Sequence, residues 1–264
     1  MKFIDNKNPD NKTGVRANIN YGNLLDQFRY IEALRYTNNK VVLDIACGIG
    51  WGSYLIAKSG ALKCVGADIS EIAIQTANQN FVSNNLEFVL SEENKIPLEN
   101  DIFDIVVSFE TFEHLQNVDT FCKEIKRVSK NNSICLISTP NRNLFNKHNF
   151  ERPQNPYHFR EYTHDEVKII FQKHGFELID YLGQYNTDSE KEISEYQKFI
   201  SKYWLVNRLN IKYGFFGKLL STFISKLLLK NKIKDPAFSR IVTPIKVENG
   251  FQPATHYFIF KLSK

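Results

Sequence analysis

A carboxylate set against alternate glycines is a pattern with chemical use. It occurs at Val41-Val42-Leu43-Asp44-Ile45-Ala46-Cys47-Gly48-Ile49-Gly50-Trp51-Gly52. Glycine lets a backbone turn sharply and lets a ligand come close to it. Such a turn can hold a pyrophosphate on the N–H groups of the helix that follows. Asp44, at the mouth of the turn, argues against that ligand, because its charge repels a pyrophosphate and attracts a cation. A second carboxylate, Asp68, follows twenty residues after Gly48 in Val65-Gly66-Ala67-Asp68-Ile69-Ser70. At a strand end it can accept both hydroxyls of a ribose, and Ile69 offers apolar surface to an adenine. Ser91-Glu92-Glu93 is the third acidic spot, with Glu92 the candidate for the adenine amino group. A ligand with adenine, ribose and positive charge but no phosphate is S-adenosylmethionine (SAM), which carries an ammonium and a sulfonium. NAD is disfavoured by the same charge. Ala46 in the turn and Ser108 and Phe109 at a later strand end complete this set. Arg29, upstream, is a candidate for the methionine carboxylate.

Two later stretches carry groups able to move a proton. Ser108-Phe109-Glu110-Thr111-Phe112-Glu113-His114 is one, and Asn155-Pro156-Tyr157-His158-Phe159-Arg160-Glu161-Tyr162-Thr163 is the other. Histidine is the side chain best matched to proton transfer near neutral pH, so His114 and His158 are both candidate bases. Tyr157, Arg160 and Glu110 are candidate substrate contacts. Arg160 would hold an anionic group, or would pair with Glu161.

The elements that must carry these residues alternate along the chain. Leu24, Leu25, Phe28, Ile31 and Leu34 have helical spacing within 21–36. Short apolar runs read as strands at 41–45, 64–67, 86–90, 104–109, 133–138 and 176–181. Helices are predicted over 52–58, 72–81, 118–129 and 165–174, with Ser70 and Thr163 as N-caps and Gly175 as the stop. Alternation of this kind predicts an α/β fold with a doubly wound, mostly parallel sheet. Ligands in such sheets bind beyond the carboxyl ends of the strands, where each motif above falls. Residues 1–20 read as a polar arm and 21–183 as the core. Residues 184–254 read as a helical basic insertion or cap, and 255–264 as a last strand in which His256, Phe258 and Phe260 alternate with Tyr257 and Ile259.

From Val41 to Gly183 the chain resembles the class I SAM-dependent methyltransferases. The loop at Asp44–Gly50, the pair Asp68-Ile69, Asn94-Lys95-Ile96-Pro97-Leu98 before Phe103-Asp104, and Glu113-His114 carry the resemblance. Glu92 departs from it, since an Asp is more usual there. The family implies a Rossmann-like seven-stranded sheet with one antiparallel strand, which 255–262 could supply, and SAM as cofactor. Glu110, Glu113 and His114 have the ExxEH pattern of ubiquinone-pathway O-methyltransferases, in which that cluster binds a divalent metal. The stretch from Ser138-Thr139-Pro140-Asn141 through Thr163 to Leu182-Gly183-Gln184 is similar to methyltransferases of surface-glycan and nucleotide-sugar biosynthesis. The expected activity is methyl transfer to an oxygen of a small polar, sugar-linked or phosphorylated metabolite. The alternatives are a quinone or lipid-precursor acceptor with a metal, and a noncatalytic SAM-binding subunit.

The net charge of +5 is mild. It suits an anionic acceptor and is far from a nucleic-acid-binding signature. From Lys198 to Lys234 there are nine Lys or Arg and no acid. That segment would serve as a packed amphipathic helix, a substrate-recruiting cap, a dimer interface or a peripheral membrane contact. Cys47, Cys64, Cys122 and Cys135 lack metal-ligand spacing and read as reduced thiols. The polar Met1–Asn11 lacks an apolar signal region, and no run is long enough to span a bilayer. The expected location is the cytoplasm.

Overall fold

The computed structural model describes residues 24–92, 95–145, 153, 155–184, 245–247 and 252–264. The arm at 1–20, the basic stretch from Lys198 to Lys234 and most of the expected cap lie outside the described residues.

Apolar runs become strands at Val41–Ile45 (β1), Lys63–Asp68 (β2), Leu86–Leu90 (β3), Phe103–Phe109 (β4), Ser129–Pro140 (β5), Phe176–Gln184 (β6), Ile245–Lys246 (β7) and Thr255–Leu262 (β8). The sheet order is β3-β2-β1-β4-β5-β8-β6-β7. β8 lies antiparallel between β5 and β6. This is the expected seven-stranded sheet with one reversed strand, extended at its edge by the two-residue β7.

Helices Leu24–Thr37 (α1), Trp51–Lys58 (α2) and Glu71–Asn80 (α3) accompany the first strands. Val118–Val128 (α4), the short Arg142–Phe145 (α5) and His164–Lys173 (α6) accompany the later ones. The inward faces make two cores. Tyr30, Leu55, Ile56 and Ala77 pack with Val42, Val107 and Tyr257 on one face. Phe121, Ile125, Val167 and Phe171 pack with Leu43, Val106 and Phe260 on the other. The alternation in β8 therefore separates two buried faces rather than core from solvent, because helices cover both sides of a central strand. Ser70 and Thr163 cap α3 and α6, and Thr163 forms a reciprocal capping box with Glu166.

Several boundaries differ from the sequence reading. β5 begins at Ser129, since Ser129 pairs with Phe103 across a register shift despite the polar residues that follow it. α2 begins at Trp51, immediately after a left-handed Gly50. Gln184 belongs to β6, and residues 245–246 return to pair with it, so both ends of the expected 184–254 insertion join the sheet. All four cysteines are buried and free. Among the described residues no helix is long and apolar enough to cross a membrane.

Candidate active site

Strand order reverses between β1 and β4, which opens a crevice at the carboxyl edge of the sheet. On one wall stands the glycine turn. Gly48 has φ +56°, and a Cβ built there would meet nothing within 4 Å. Gly50 has φ +84°, and a Cβ would lie 2.5 Å from the Phe88 ring and 2.7 Å from the Ala77 Cβ. Gly48 thus faces open space, whereas Gly50 is demanded by packing as well as by its backbone. Ala46 also holds a positive φ, of 57°, an uncommon state for a residue with a Cβ. Asp68 accepts the Gly48 N–H at 2.8 Å and the Ser70 N–H at 2.9 Å, tying the end of β2 to the turn. Ile69 is 48% exposed beside it. Glu92 is exposed and bridges to Lys95.

Asp44 differs from its expected role. It is fully buried, and accepts the Ser53 hydroxyl at 2.6 Å and the Tyr30 hydroxyl at 3.1 Å to each oxygen. Burial pushes its pKa up to about 7, and the nearby charge of Asp68 adds to this, against the two hydrogen bonds. The carboxylate therefore anchors α1 and α2 to β1, and its charge varies around neutral pH. At the end of β4, the side chains of Ser108 and Phe109 are buried, and Phe109 packs edge-on to Tyr30 with centroids 5.1 Å apart. Arg29 is not a solvated surface residue but is 2% exposed. It donates to Gln184 Oε1 at 2.8 Å, contacts Asp26, and lies 3.7 Å from Glu110. Its Nε has no partner among the described residues.

The other wall begins where β4 ends. Glu110 has φ +50° and accepts the Ser138 hydroxyl at 2.9 Å. A 3₁₀ turn at Phe112–His114 follows. Glu113 is 1% exposed and accepts the Thr139 hydroxyl at 2.9 Å. Its carbonyl accepts the N–H groups of Phe159 and Arg160 at 2.8 and 3.1 Å, which staples the 155–162 segment onto the turn. His114 Nδ1 lies 2.8 Å from the Tyr157 carbonyl, and His158 Nδ1 lies 3.0 Å from Glu161 Oε1. Both of these oxygens accept, so both Nδ1 atoms carry the proton. Asn155 supports the assignment: its Oδ1 accepts the Tyr157 N–H at 3.0 Å, which turns its Nδ2 to donate to His158 Nε2 at 2.8 Å. The two rings meet edge to face at 5.0 Å. Burial lowers the His114 pKa, and burial followed by the charge of Glu110 raises that of Glu113.

Glu110 is near enough for its charge to act on both Glu113 and His114, but its carboxylate is not in one group of ligand atoms with them. Glu110, in its left-handed position before the turn, is held by Ser138 and Arg29. Among the described residues the grouped ligand atoms, all within 4.8 Å of one another, belong to Glu113, His114 and His158. Arg160 does not pair with Glu161. It reaches Glu166 at 2.7 Å and lies over the Tyr162 ring at 5.0 Å, and Arg142 reaches the same Glu166 oxygen at 3.0 Å. Tyr157 and Phe159 are 45% and 60% exposed.

A family model described as methyltransferase domain matches residues 36–197. The chain belongs to that family. It is a class I SAM-dependent methyltransferase domain. It is 32% identical over 145 residues, 55% of each chain, to the "Probable S-adenosylmethionine-dependent methyltransferase" of Mycolicibacterium smegmatis. It is 30% identical over 147 residues, 54% of this chain and 58% of the other, to the ubiquinone biosynthesis O-methyltransferase of Pelagibacter ubique. The chain spans about half the length of the curated relatives it matches. The crystal structure of an S-adenosylmethionine-dependent methyltransferase from Mesorhizobium loti superposes with a TM-score of 0.56 over 90% of this chain and 99% of that one. At 14% identity that likeness concerns the fold alone.

The residues present suit SAM. The open side of Gly48 leaves room for a ligand against the backbone, Asp68 brings an acceptor to that room, and Ile69 brings apolar surface. In this domain the sequence motifs already marked Asp68, the glycines, His114 and His158. They did not mark Tyr30 and Ser53 as partners of Asp44, Thr139 as partner of Glu113, or Glu161 as partner of His158. The Glu161 signal was present, three residues after His158, but it was read toward Arg160.

Proposed function

We propose that this methyltransferase transfers the methyl group of SAM to an oxygen of a small polar, anionic metabolite, sugar-linked or phosphorylated, in the cytoplasm, as a step toward a surface polysaccharide. SAM lies over Gly48–Gly52 with its ribose on Asp68, its adenine along Ile69 toward Glu92, and its methionine carboxylate toward Arg29. The observation that carries the oxygen assignment is His158. Its Nδ1–H is directed at a buried carboxylate, its Nε2 accepts from the exposed Asn155 amide, and its ring meets that of His114 edge to face. An imidazole oriented by a carboxylate is the arrangement of a general base. In the metal-free protein His158 takes the hydroxyl proton as the methyl group moves in line from sulfur to oxygen. Glu161 holds the ring and stabilises its protonated form, and His114 borders the acceptor.

Support for an anionic acceptor comes from the same rim. Arg142 and Arg160 share one carboxylate oxygen of Glu166. Glu166 is itself tied to the Thr163 N–H at 2.8 Å, so two guanidinium groups face one anion. Exposed Tyr157 and Phe159 offer faces on which a sugar or a base could stack. The glycan context is supported by the sequence likeness of the 138–184 stretch. The test is transfer of labelled methyl from SAM into a metabolite extract, resolved by anion exchange and identified by mass. Label in an anionic O-methyl product is expected. Label on nitrogen or in a neutral lipid fraction overturns the acceptor, and SAM binding without transfer to any fraction overturns the activity.

A further inference from the structure

We propose that Glu113, His114 and His158 form a binding site for a divalent transition-metal cation, with Glu113 Oε1 and the Nε2 atoms of both histidines as ligands. One ligand atom from each of the three residues lies within 4.8 Å of the other two, and Glu113 Oε1 is already 3.8 Å from His114 Nε2. A zinc-type ion at ~2.0–2.2 Å from each would draw them in by small side-chain movements.

The case rests on how the ligands are held. A histidine ligand needs a bare lone pair on one nitrogen and a fixed partner on the other. Both rings meet this condition independently. His114 gives its Nδ1–H to the Tyr157 carbonyl and His158 gives its Nδ1–H to Glu161, which leaves Nε2 without a proton in each. Glu161 is 4% exposed, and its second oxygen has no partner among the described residues. It is a buried charge placed behind a ring. Glu113 is a 1% exposed carboxylate whose Oε2 is held by Thr139, leaving Oε1 toward the rings. A buried carboxylate of this kind is costly without a cation. At present the lone pair of His158 is met by the amide of Asn155, an exposed residue free to yield. Two imidazoles and one carboxylate favour zinc, manganese, iron or cobalt over magnesium or calcium.

Glu110 is no part of this site. The ligand set differs from the one that the ExxEH spacing suggests, with a residue forty-four positions downstream of His114 in place of Glu110. A cation here would also fasten the 155–162 segment to the 3₁₀ turn. Resting on the methyl-transfer reading for its role, it would occupy the His158 lone pair and so replace that ring as base, acidifying the acceptor hydroxyl as a Lewis acid instead.

The experiment is titration of the full chain, stripped of metal, with Zn²⁺ by calorimetry and with Mn²⁺ by electron paramagnetic resonance. Binding of S-adenosylhomocysteine is measured on every sample. One cation per chain is expected, with affinity reduced at least tenfold in His158→Ala and in Glu113→Gln, and by much less in Glu110→Gln, whose charge acts on Glu113 but whose oxygens are not ligands. Failure to bind either cation overturns the site. So does an affinity lost in Glu110→Gln and kept in His158→Ala. Because S-adenosylhomocysteine binding reports the cofactor site, its loss in wild type would count against the methyltransferase reading and not against the metal.

Discussion

The two walls of the crevice are built by different means. The cofactor wall is assembled from consecutive strand ends, and its contacts are largely main chain: the Gly48 N–H on Asp68 and the turn at Gly48–Gly50. The acceptor wall gathers side chains from β4, β5 and the 155–162 segment, across forty-four residues from His114 to His158. A wall made of backbone geometry tolerates little change at its glycines. A wall made of side chains on a stapled loop can exchange its chemistry while the fold stays. Proteins that share this cofactor can therefore differ in acceptor.

That comparison can be broken most sharply at Gly50. Gly50→Ala forces a Cβ into the Phe88 ring and onto Ala77 in a left-handed backbone. It should cost ~2–4 kcal/mol of stability, read as a lowered denaturant midpoint. A midpoint within error of wild type would mean the turn is more plastic than its packing implies. Across the crevice, His158→Ala should lower turnover ~10²-fold or more with SAM affinity unchanged. A comparable loss in His114→Ala alone would exchange the two roles. Asp68→Ala should weaken SAM binding by ~1.5–3 kcal/mol, through lost hydrogen bonds to the ribose and to the Gly48 N–H. Calorimetry with S-adenosylhomocysteine reads this directly, and unchanged affinity would remove Asp68 from the site.

The smallest effect is the most diagnostic of burial. The folded-state pKa of Asp44 is raised to about 7, so the native state holds this proton more tightly than the unfolded chain. The stability it contributes is full below the unfolded pKa near 4 and is lost as pH rises toward 7. Cofactor affinity should move the other way, because the ionised form attracts the cation of SAM. The affinity should rise about tenfold from pH 6 to pH 8, following the ionised fraction. Asp44→Asn should flatten both profiles. A pH-independent affinity in wild type would show that Asp44 acts only as an anchor for Tyr30 and Ser53.

The local signals were legible where physics is local. Ser70 and Thr163 cap the helices they precede, because a side-chain oxygen reaches an N–H only two or three residues on. Apolar runs of strand length became the sheet, and the motifs that follow them gathered at one edge, since strand ends in such a sheet share that edge. Those regularities were enough to name the cofactor from Asp44, Gly48 and Asp68. The environment of each charge was not legible. Asp44 has the spacing of an exposed carboxylate and is desolvated, because its burial depends on Tyr30 from α1 and Ser53 from α2. Arg29 was legible as a candidate for the methionine carboxylate, but not its burial or its bond to Gln184 at the far end of β6. The ExxEH spacing suggested that Glu110 joins Glu113 and His114, but a left-handed backbone at Glu110 turns it toward Ser138. The sequence by itself determined the elements, the cofactor class and the candidate histidines, because periodicity and capping act over a few residues. Only the tertiary structure decided which groups are dry, which nitrogen of each histidine carries the proton, and that His158 joins Glu113 and His114 in one group of ligand atoms. Desolvation and ligand convergence depend on neighbours that the chain brings from tens of residues away.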